Sequence, residues 1–319
     1  MPTVKQIESS TRHVYSVLTP TPQYCWPLLS ERLGVEVWLK HENHTPVGAF
    51  KIRGGLVYFA DLASGHGTGK VITATRGNHG QSVALAAKRY GISSTVVVPL
   101  GNSVEKNDAM RSLGATLVEH GEDFQAAREH AAALAEASGA HMVPSFHPLL
   151  VQGVATYSLE LFRAVHGLDY LYVPIGLGSG ICGAIAVRNE LSPGTKIVGV
   201  VSAHARAYAL SFASRRQTES PASTALAEGI ACRVPQPEAL EVVWRYVDHI
   251  AEVTDDEVAQ AMRTLHECTH NCAEGAGAAA TAAIAKERDL LAGRKVAAVL
   301  SGSNVDREVF ARVLLTRQA

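Results

Sequence analysis

The sequence contains no apolar run of transmembrane length and no long run of lysine or arginine. The first absence argues against a helical membrane protein, because a span needs about 20 consecutive apolar residues. The second, with 29 basic against 30 acidic side chains and a net charge of −1, leaves no electrostatic footprint for nucleic acid or anionic lipid, and neither partner is expected. Cysteines are few and odd in number, and Cys25, Cys182, Cys232, Cys268 and Cys272 fit reduced thiols better than a disulfide framework. The opening MPTVKQIESSTRHVYS is mixed polar and lacks the apolar core of a secretory signal, so a cytoplasmic protein is expected. Repeats of solenoid period and low-complexity linkers are also missing. What remains is a chain of 319 residues, 47% hydrophobic and 18% charged, able to bury one large core or two smaller ones without disulfides or structural metal.

Short β-branched runs alternate with longer Ala-rich amphipathic stretches. KVITAT, STVVVP, TLVEH, HMVPS, YLYVPI, KIVGVVSA and VAAVLS are each separated by segments of helical length, the rhythm of βαβ units and parallel sheets. Helices are predicted from His79 to Tyr90, closing at Gly91, and from Asp123 to Ser138, closing at Gly139. Two turn-rich breaks, Gly65 to Gly69 and Pro144 to Pro148, bracket four of the runs. That bracket reads as a smaller domain, residues 70–146, inserted into a larger one made of 1–69 and 147–319.

In α/β sheets ligands sit at the carboxyl ends of strands, so residues just after each apolar run carry the information. Gly48-Ala49-Phe50-Lys51-Ile52-Arg53-Gly54-Gly55 opens a helix with a lysine among apolar and small residues. Lys51 reads either as a solvated helix residue or as a desolvated amine of lowered pKa, suited to Schiff-base chemistry. Thr73-Ala74-Thr75-Arg76-Gly77-Asn78-His79-Gly80-Gln81 follows a strand and enters a helix, so its glycines let backbone amides approach a small anion. Asn78 and His79 would equally serve as caps. Gly176-Leu177-Gly178-Ser179-Gly180-Ile181-Cys182-Gly183, directly after YLYVPI, has the geometry of a phosphate cradle. Ser301-Gly302-Ser303-Asn304 follows the last strand and, alone, is only a polar turn.

Taken together these segments resemble the fold type II pyridoxal-phosphate enzymes, within them the threonine dehydratase and serine racemase branch. The resemblance runs over most of the chain. It includes the Lys51 segment, G-N-H-G-Q, Lys106 to Ala115, the glycine loop, Ala273-Glu274-Gly275-Ala276-Gly277 and L-S-G-S-N. It implies a fold like the tryptophan synthase β subunit, with two three-layer α/β domains. It also implies that Lys51 holds pyridoxal 5'-phosphate as a Schiff base, Phe50 packs on the ring and Asn78 bonds the ring hydroxyl. Backbone amides of Gly176, Leu177, Gly178, Ser179 and Gly180 would bind the phosphate, and Ser301 would face the pyridine nitrogen. Thr75, Arg76, Gly77, Asn78 and His79 would form the substrate loop. The implied activity is α,β-elimination from a β-hydroxy-α-amino acid, giving a 2-oxo acid and ammonia, in a homodimer or homotetramer.

Three departures narrow this expectation. Relatives that racemise carry a serine immediately before G-N-H-G, where this chain has Arg76, whose guanidinium stays protonated and cannot act as a base. Arg76 would instead meet an acidic group on a substrate or point to solvent. The strand after the glycine loop ends Gly199 to Ala207 without Asp or Glu, so the divalent cation of several relatives is not expected. The chain stops after a terminal helix, so feedback inhibition through an appended regulatory domain is not expected either. Phe146, His147 and Tyr157 would shape an aromatic pocket for phenylserine-like substrates or merely pack. Hydroxyaspartate stays open through Arg76.

Other readings compete. A racemase or β-replacement enzyme of the same fold, or a non-catalytic amino-acid sensor, would use the same segments. Gly178 to Gly183 also satisfies G-x-G-x-x-G, yet no acidic residue ends the next strand, which leaves a nicotinamide-dependent oxidoreductase weak. His266-Glu267-Cys268-Thr269-His270 fits H-E-x-x-H, but no third ligand is identifiable and a partly exposed helix is favoured over a zinc site.

Overall fold

The computed structural model describes residues 1–65 and 69–316, so the centre of the turn Gly65 to Gly69 lies outside the described residues. Ten strands are described: β1 Gln23–Cys25, β2 Glu36–His41, β3 Lys70–Ala74, β4 Ser93–Val98, β5 Thr116–Glu119, β6 His141–Met142, β7 Tyr170–Pro174, β8 Lys196–Ser202, β9 Val247–Val253 and β10 Lys295–Leu300. They form a six-stranded sheet, β1-β2-β10-β7-β8-β9, and a four-stranded sheet, β5-β4-β3-β6. Every pairing is parallel except β1 with β2. The helices are α1 Val4–Val14, α2 Pro27–Leu33, α3 Lys51–Ser64, α4 Asn78–Arg89, α5 Val104–Ser112, α6 Phe124–Ser138, α7 Pro148–Ala164, α8 Ser179–Leu191, α9 Ala207–Ser214, α10 Pro237–Tyr246, α11 Asp255–Thr269, α12 Gly275–Glu287 and α13 Arg307–Leu315.

The protein is therefore an α/β molecule of two layered sheets. One face of the larger sheet packs on α7, α8 and α10, the other on α2, α11 and α12. The Ala-rich α12 is buried over nearly its whole length because its small side chains let it lie close beneath the strands. In the four-stranded sheet, Ile72, Ala74 and Val97 face the alanine stripe of α6, and Val96 and Val98 face Ala84 and Met110. α3 shares a core with this sheet through Ile52, Leu56, Phe59 and Val71, so it couples the two sheets. No helix among the described residues is long and apolar enough to cross a membrane.

Two full-length strands escaped the apolar rhythm. β2 reads Glu-Val-Trp-Leu-Lys-His because its end carries buried polar groups, and β9 reads Val-Asp-His-Ile-Ala-Glu-Val because it is an edge strand with one wetted face. The H-E-x-x-H segment lies at the end of α11: the helix stops at Thr269, His270 caps it with a left-handed φ of 53° and an N–H bond to the His266 carbonyl at 2.9 Å, and Glu267 pairs with Arg32.

A buried charge cluster joins β2 to α3 and α7. Arg53 donates to Glu42 at 2.7 and 2.9 Å and to Glu160 at 2.6 and 2.9 Å, and Lys40 reaches Glu160 at 2.6 Å. The Arg53, Glu42 and Lys40 side chains are fully enclosed, and Thr21 and Thr156 accept from Arg53 as well. Two cations thus meet two carboxylates with their hydrogen bonds made, the condition under which buried ions are tolerated. Beside the cluster α3 and α7 touch backbone to backbone. A Cβ on Gly153 would stand 2.3 Å from the Arg53 carbonyl, and one on Gly54 2.7 Å from that of Leu150.

These contacts make two predictions about stability. Glu42→Gln leaves an excess buried cation and should lower stability by about 3–5 kcal/mol in urea unfolding. On the larger sheet, His249 bonds Glu287 at 3.1 Å and Asp248 at 2.9 Å, and these bonds lift its pKa above the ordinary 6.5 against partial burial. Protonated His249 is the form the fold favours, so its contribution is complete below the ordinary pKa and fades as pH rises through the raised value. Wild type should lose more of its thermal midpoint than His249→Gln between about pH 6 and pH 8.

Candidate functional site

Lys51 is the first residue of α3, placed there by Phe50 at the cap position. The Phe50 backbone N–H donates to the Ser301 carbonyl at 3.1 Å, which ties the start of α3 to the end of β10. The Lys51 amine donates to the Ser179 hydroxyl at 3.4 Å and lies 5.2 Å from the centre of the Phe50 ring. Neither contact is a carboxylate, so nothing offsets the loss of water. Desolvation pulls the amine down to about 8 from an ordinary 10.5.

The glycine loop leads from β7 into α8. Gly178 sits at φ 103°, a left-handed turn open to glycine, and a Cβ there would come within 2.5 Å of Ala239. Tyr208 donates to the Leu177 carbonyl at 3.0 Å and Tyr157 donates to the Gly180 carbonyl at 3.0 Å, so the loop is pinned from behind by two buried phenols. A Cβ on Gly176 would stand 2.6 Å from the Gly229 carbonyl. Ser301 donates to the Ala276 carbonyl at 3.4 Å.

The loop after β3 completes the enclosure. Thr75 accepts from the Gly77 backbone N–H at 3.0 Å, and α4 begins at Asn78. Asn78 donates to Glu274 at 2.6 Å and accepts from Asn304 at 2.7 Å. His79 is buried and its Nε2 has no partner. Burial, then the charge of Lys51, push its pKa down to about 3, so the ring is neutral.

Four helices start here without a side-chain cap: α3 after Phe50, α4 after Gly77, α8 after Gly178 and α12 after Glu274. Each leaves first-turn N–H groups free, with the positive end of its dipole toward the enclosure. An uncapped α8 behind a glycine cradle suits a phosphate, a desolvated lysine suits an aldehyde, and the unpartnered His79 nitrogen marks a place for a bound polar group. The donors present fit pyridoxal 5'-phosphate.

Arg76 takes a different position from the rest of its loop. It reaches Glu228 at 3.5 Å, and Lys106, which lies across Gly77, reaches the same carboxylate at 3.4 Å. All three line a cavity of about 340 Å³ whose wall also includes Glu274 and Asn304, while Lys51 lies off that wall. The tie of Ser103 to Asp306 and the bond from the Arg307 backbone to Glu105 at 3.0 Å span the same opening. The aromatic turn is occupied by structural work. Tyr157 is buried against Phe50, His147 caps α7 and Phe146 packs on the core of the larger sheet. Glu274, Asn304, Lys106 and Glu228 join the site although no sequence motif gives them a role of their own. The signal for Glu274 is a carboxylate inside an Ala-Gly run, where no solvated face exists. No group of three or more His, Cys, Asp or Glu side chains among the described residues is arranged to hold a metal ion.

Comparison with known proteins supplies a second line. Residues 14–302 match the family described as pyridoxal-phosphate dependent enzyme. The chain is 34% identical over 315 residues to the L-threonine ammonia-lyase of Thermotoga maritima, covering 98% of this chain and 78% of that protein. It is 32% identical to the biosynthetic L-threonine dehydratase of Haemophilus influenzae over 92% of this chain, but spans only 58% of that relative's length. Among solved structures, the processed form of threonine deaminase isoform 2 from Solanum lycopersicum superposes with a TM-score of 0.91 at 30% identity, covering 97% of this chain and 91% of that one.

The desolvated amine makes a pH prediction. The rate at which the apoprotein captures pyridoxal 5'-phosphate should rise with pH and level off above about 8, the pKa of Lys51, because only the free amine attacks the aldehyde. Lys51→Ala should abolish the borohydride-trapped mass increase.

Proposed function

The chain belongs to the pyridoxal-phosphate-dependent enzyme family, and from that premise we propose that it is an ammonia-lyase for β-hydroxy-α-amino acids of the threonine and serine type, yielding a 2-oxo acid and ammonia. The observation that carries this reading is a desolvated lysine with no carboxylate partner, beside Ser179 at the mouth of an uncapped helix behind a glycine cradle. Identity to threonine ammonia-lyases over nearly the whole chain supports it.

Lys51 would hold the cofactor, Phe50 would pack beside it, and the amides of Gly176, Leu177, Gly178, Ser179 and Gly180 would bind its phosphate. Asn78 would meet the ring oxygen and Ser301 the ring nitrogen. When bound, pyridoxal 5'-phosphate supplies an aldehyde that condenses with amines and a conjugated ring that takes up the electrons of a broken Cα–H bond. The chain's own groups do the remainder. Lys51, held part-neutral by desolvation, takes the Cα proton at Nζ. Its Ser179 partner orients the amine without adding a charge. Thr75, Gly77, Asn78 and His79 would hold the substrate carboxylate, for which the uncapped start of α4 and a neutral His79 provide donors. Ser301 is uncharged and would not enforce a protonated ring nitrogen, which would temper the ring's pull on electrons and favour departure of the β-hydroxyl.

Arg76 stands where a racemase would need a second base. Its guanidinium holds its protons, so elimination should proceed without inversion. One observation favours a second substrate reading. Arg76 and Lys106 share one carboxylate at long distance on the cavity wall, so an acidic side chain such as that of hydroxyaspartate could replace Glu228 there. We assign residues 1–69 and 147–319 to the part that holds the cofactor and 70–146 to the part that closes on the substrate, on the strength of their separate sheets. A cytoplasmic homo-oligomer is the corresponding proposal for the whole protein.

Release of ammonia and 2-oxo acid by the cofactor-loaded protein from L-threonine, L-serine, phenylserine and hydroxyaspartate tests the reading. Turnover of threonine or serine that disappears in Lys51→Ala is expected, with no D-serine formed from L-serine. Silence across the panel with cofactor bound would sink it. If Arg76→Ala lowers kcat/KM about tenfold or more for hydroxyaspartate alone, the acidic-substrate reading holds instead.

A further inference from the structure

Asn78 lies between two fixed neighbours, and together they decide which way its amide points. Asn304 uses both hydrogens of its own amide, one to the Val47 carbonyl at 2.8 Å and one to Asn78 Oδ1 at 2.7 Å. The Val47 carbonyl can only accept, so Asn304 must present its nitrogen on this side, and Asn78 must then present its oxygen to Asn304. The Asn78 nitrogen is thereby turned to the opposite side, where Glu274 Oε1 accepts one hydrogen at 2.6 Å. The second hydrogen has no partner among the described residues and remains available to a ligand. Glu274 is itself buried, packed against the Gly302 backbone so closely that a Cβ there would fall 2.4 Å from its Oε1. Burial pushes its carboxyl pKa up, against the pull of Lys106 and of the Asn78 bond, and a neutral carboxyl accepts through Oε1 as an ionised one does.

We propose that Asn304 and Glu274 are positioning residues that clamp the Asn78 amide from both sides, so that a donor N–H rather than a carbonyl lone pair meets the cofactor's ring oxygen and holds that oxygen ionised. This rests on the proposed assignment of Asn78 to the ring oxygen. The reasoning is electrostatic. A donor aimed at an oxygen stabilises its anion, and an acceptor in the same place favours the protonated form. Neither clamp residue needs to touch the cofactor, since each acts through the orientation of Asn78. Asn304→Asp keeps the shape but replaces the donor with an acceptor, which faces Asn78 Oδ1 unfavourably and draws the amide nitrogen toward position 304 in competition with Glu274. Glu274→Gln keeps an acceptor for Asn78, whereas Glu274→Leu removes it.

The test is the absorption spectrum of each variant loaded with pyridoxal 5'-phosphate, with Lys51-bound cofactor quantified by borohydride trapping and mass. The visible band reports cofactor with an ionised ring oxygen, and the near-ultraviolet band reports the neutral form. Wild type and Glu274→Gln are expected to share a predominantly visible spectrum. Asn304→Asp should shift the ratio toward the near-ultraviolet by about tenfold, the effect of losing one hydrogen bond to a charged group, and Glu274→Leu, in which Asn304 still holds the Asn78 oxygen, should shift it in the same direction by a smaller factor. If either loaded variant keeps the wild-type ratio, or if Glu274→Gln shifts as far as Glu274→Leu, the clamp is overturned. Should Asn304→Asp fail to fold, the comparison of Gln with Leu at position 274 decides alone. A wild-type protein with no Lys51-dependent band would instead overturn the cofactor assignment, and Lys51→Ala would then look the same as wild type.

Discussion

The enclosure of Arg53 with Glu42, Glu160 and Lys40 is the constraint on which the rest of the site depends. Four ions out of water are tolerable only while each keeps its partner, so β2, α3 and α7 have one relative placement in which the cluster is satisfied. Lys51 lies two residues before Arg53 at the head of the same helix. The cluster therefore sets where the amine stands. The glycines at the crossing of α3 and α7 act in the same direction, because contact between bare backbones leaves no side chain to shift the register.

A second feature of the design is polar groups left unmet by the protein. Elsewhere in the chain α1, α5, α6, α7 and α11 are closed by side-chain caps from Thr3, Ser103, Asp123, His147 and Thr254. The four helices that begin at the site are not, nor are α2, α9, α10 and α13 elsewhere, and a missing cap costs about 1 kcal/mol. With the unpartnered nitrogen of His79 and the desolvated amine of Lys51, the enclosure is electropositive and under-bonded. A ligand carrying phosphate and an aldehyde offsets those deficits together. Cofactor binding and fold stability are accordingly coupled.

Much of this architecture is legible in the order of the residues, for identifiable reasons. β3, β4, β7, β8 and β10 are buried on both faces, so their apolar runs are continuous, and the residues after them fall at the carboxyl edge by topology. β2 and β9 are not legible in the same way, since Lys40 and His41 serve the buried cluster and its neighbours, and Asp248 and His249 serve a wetted edge. Glu228 belongs to a short helical turn in an otherwise irregular stretch, and its meeting with Arg76 and Lys106 joins segments far apart in the chain. No local pattern marks such a contact. Tyr157 shows the converse, an aromatic residue open to a pocket role by sequence that the fold uses to pin the Gly180 carbonyl.

The sequence by itself determined the α/β alternation, the lysine at a helix start, the glycine loops and the absence of a base at position 76. These depend on periodicity, on backbone freedom and on the pKa of a side chain, all local properties. Only the tertiary structure decided that Arg53 is buried and matched, that Arg76 is answered by Glu228, and that Asn78 is held between Asn304 and Glu274. Each of those outcomes is a balance between desolvation and a partner distant in sequence, and that balance exists only once the chain has folded.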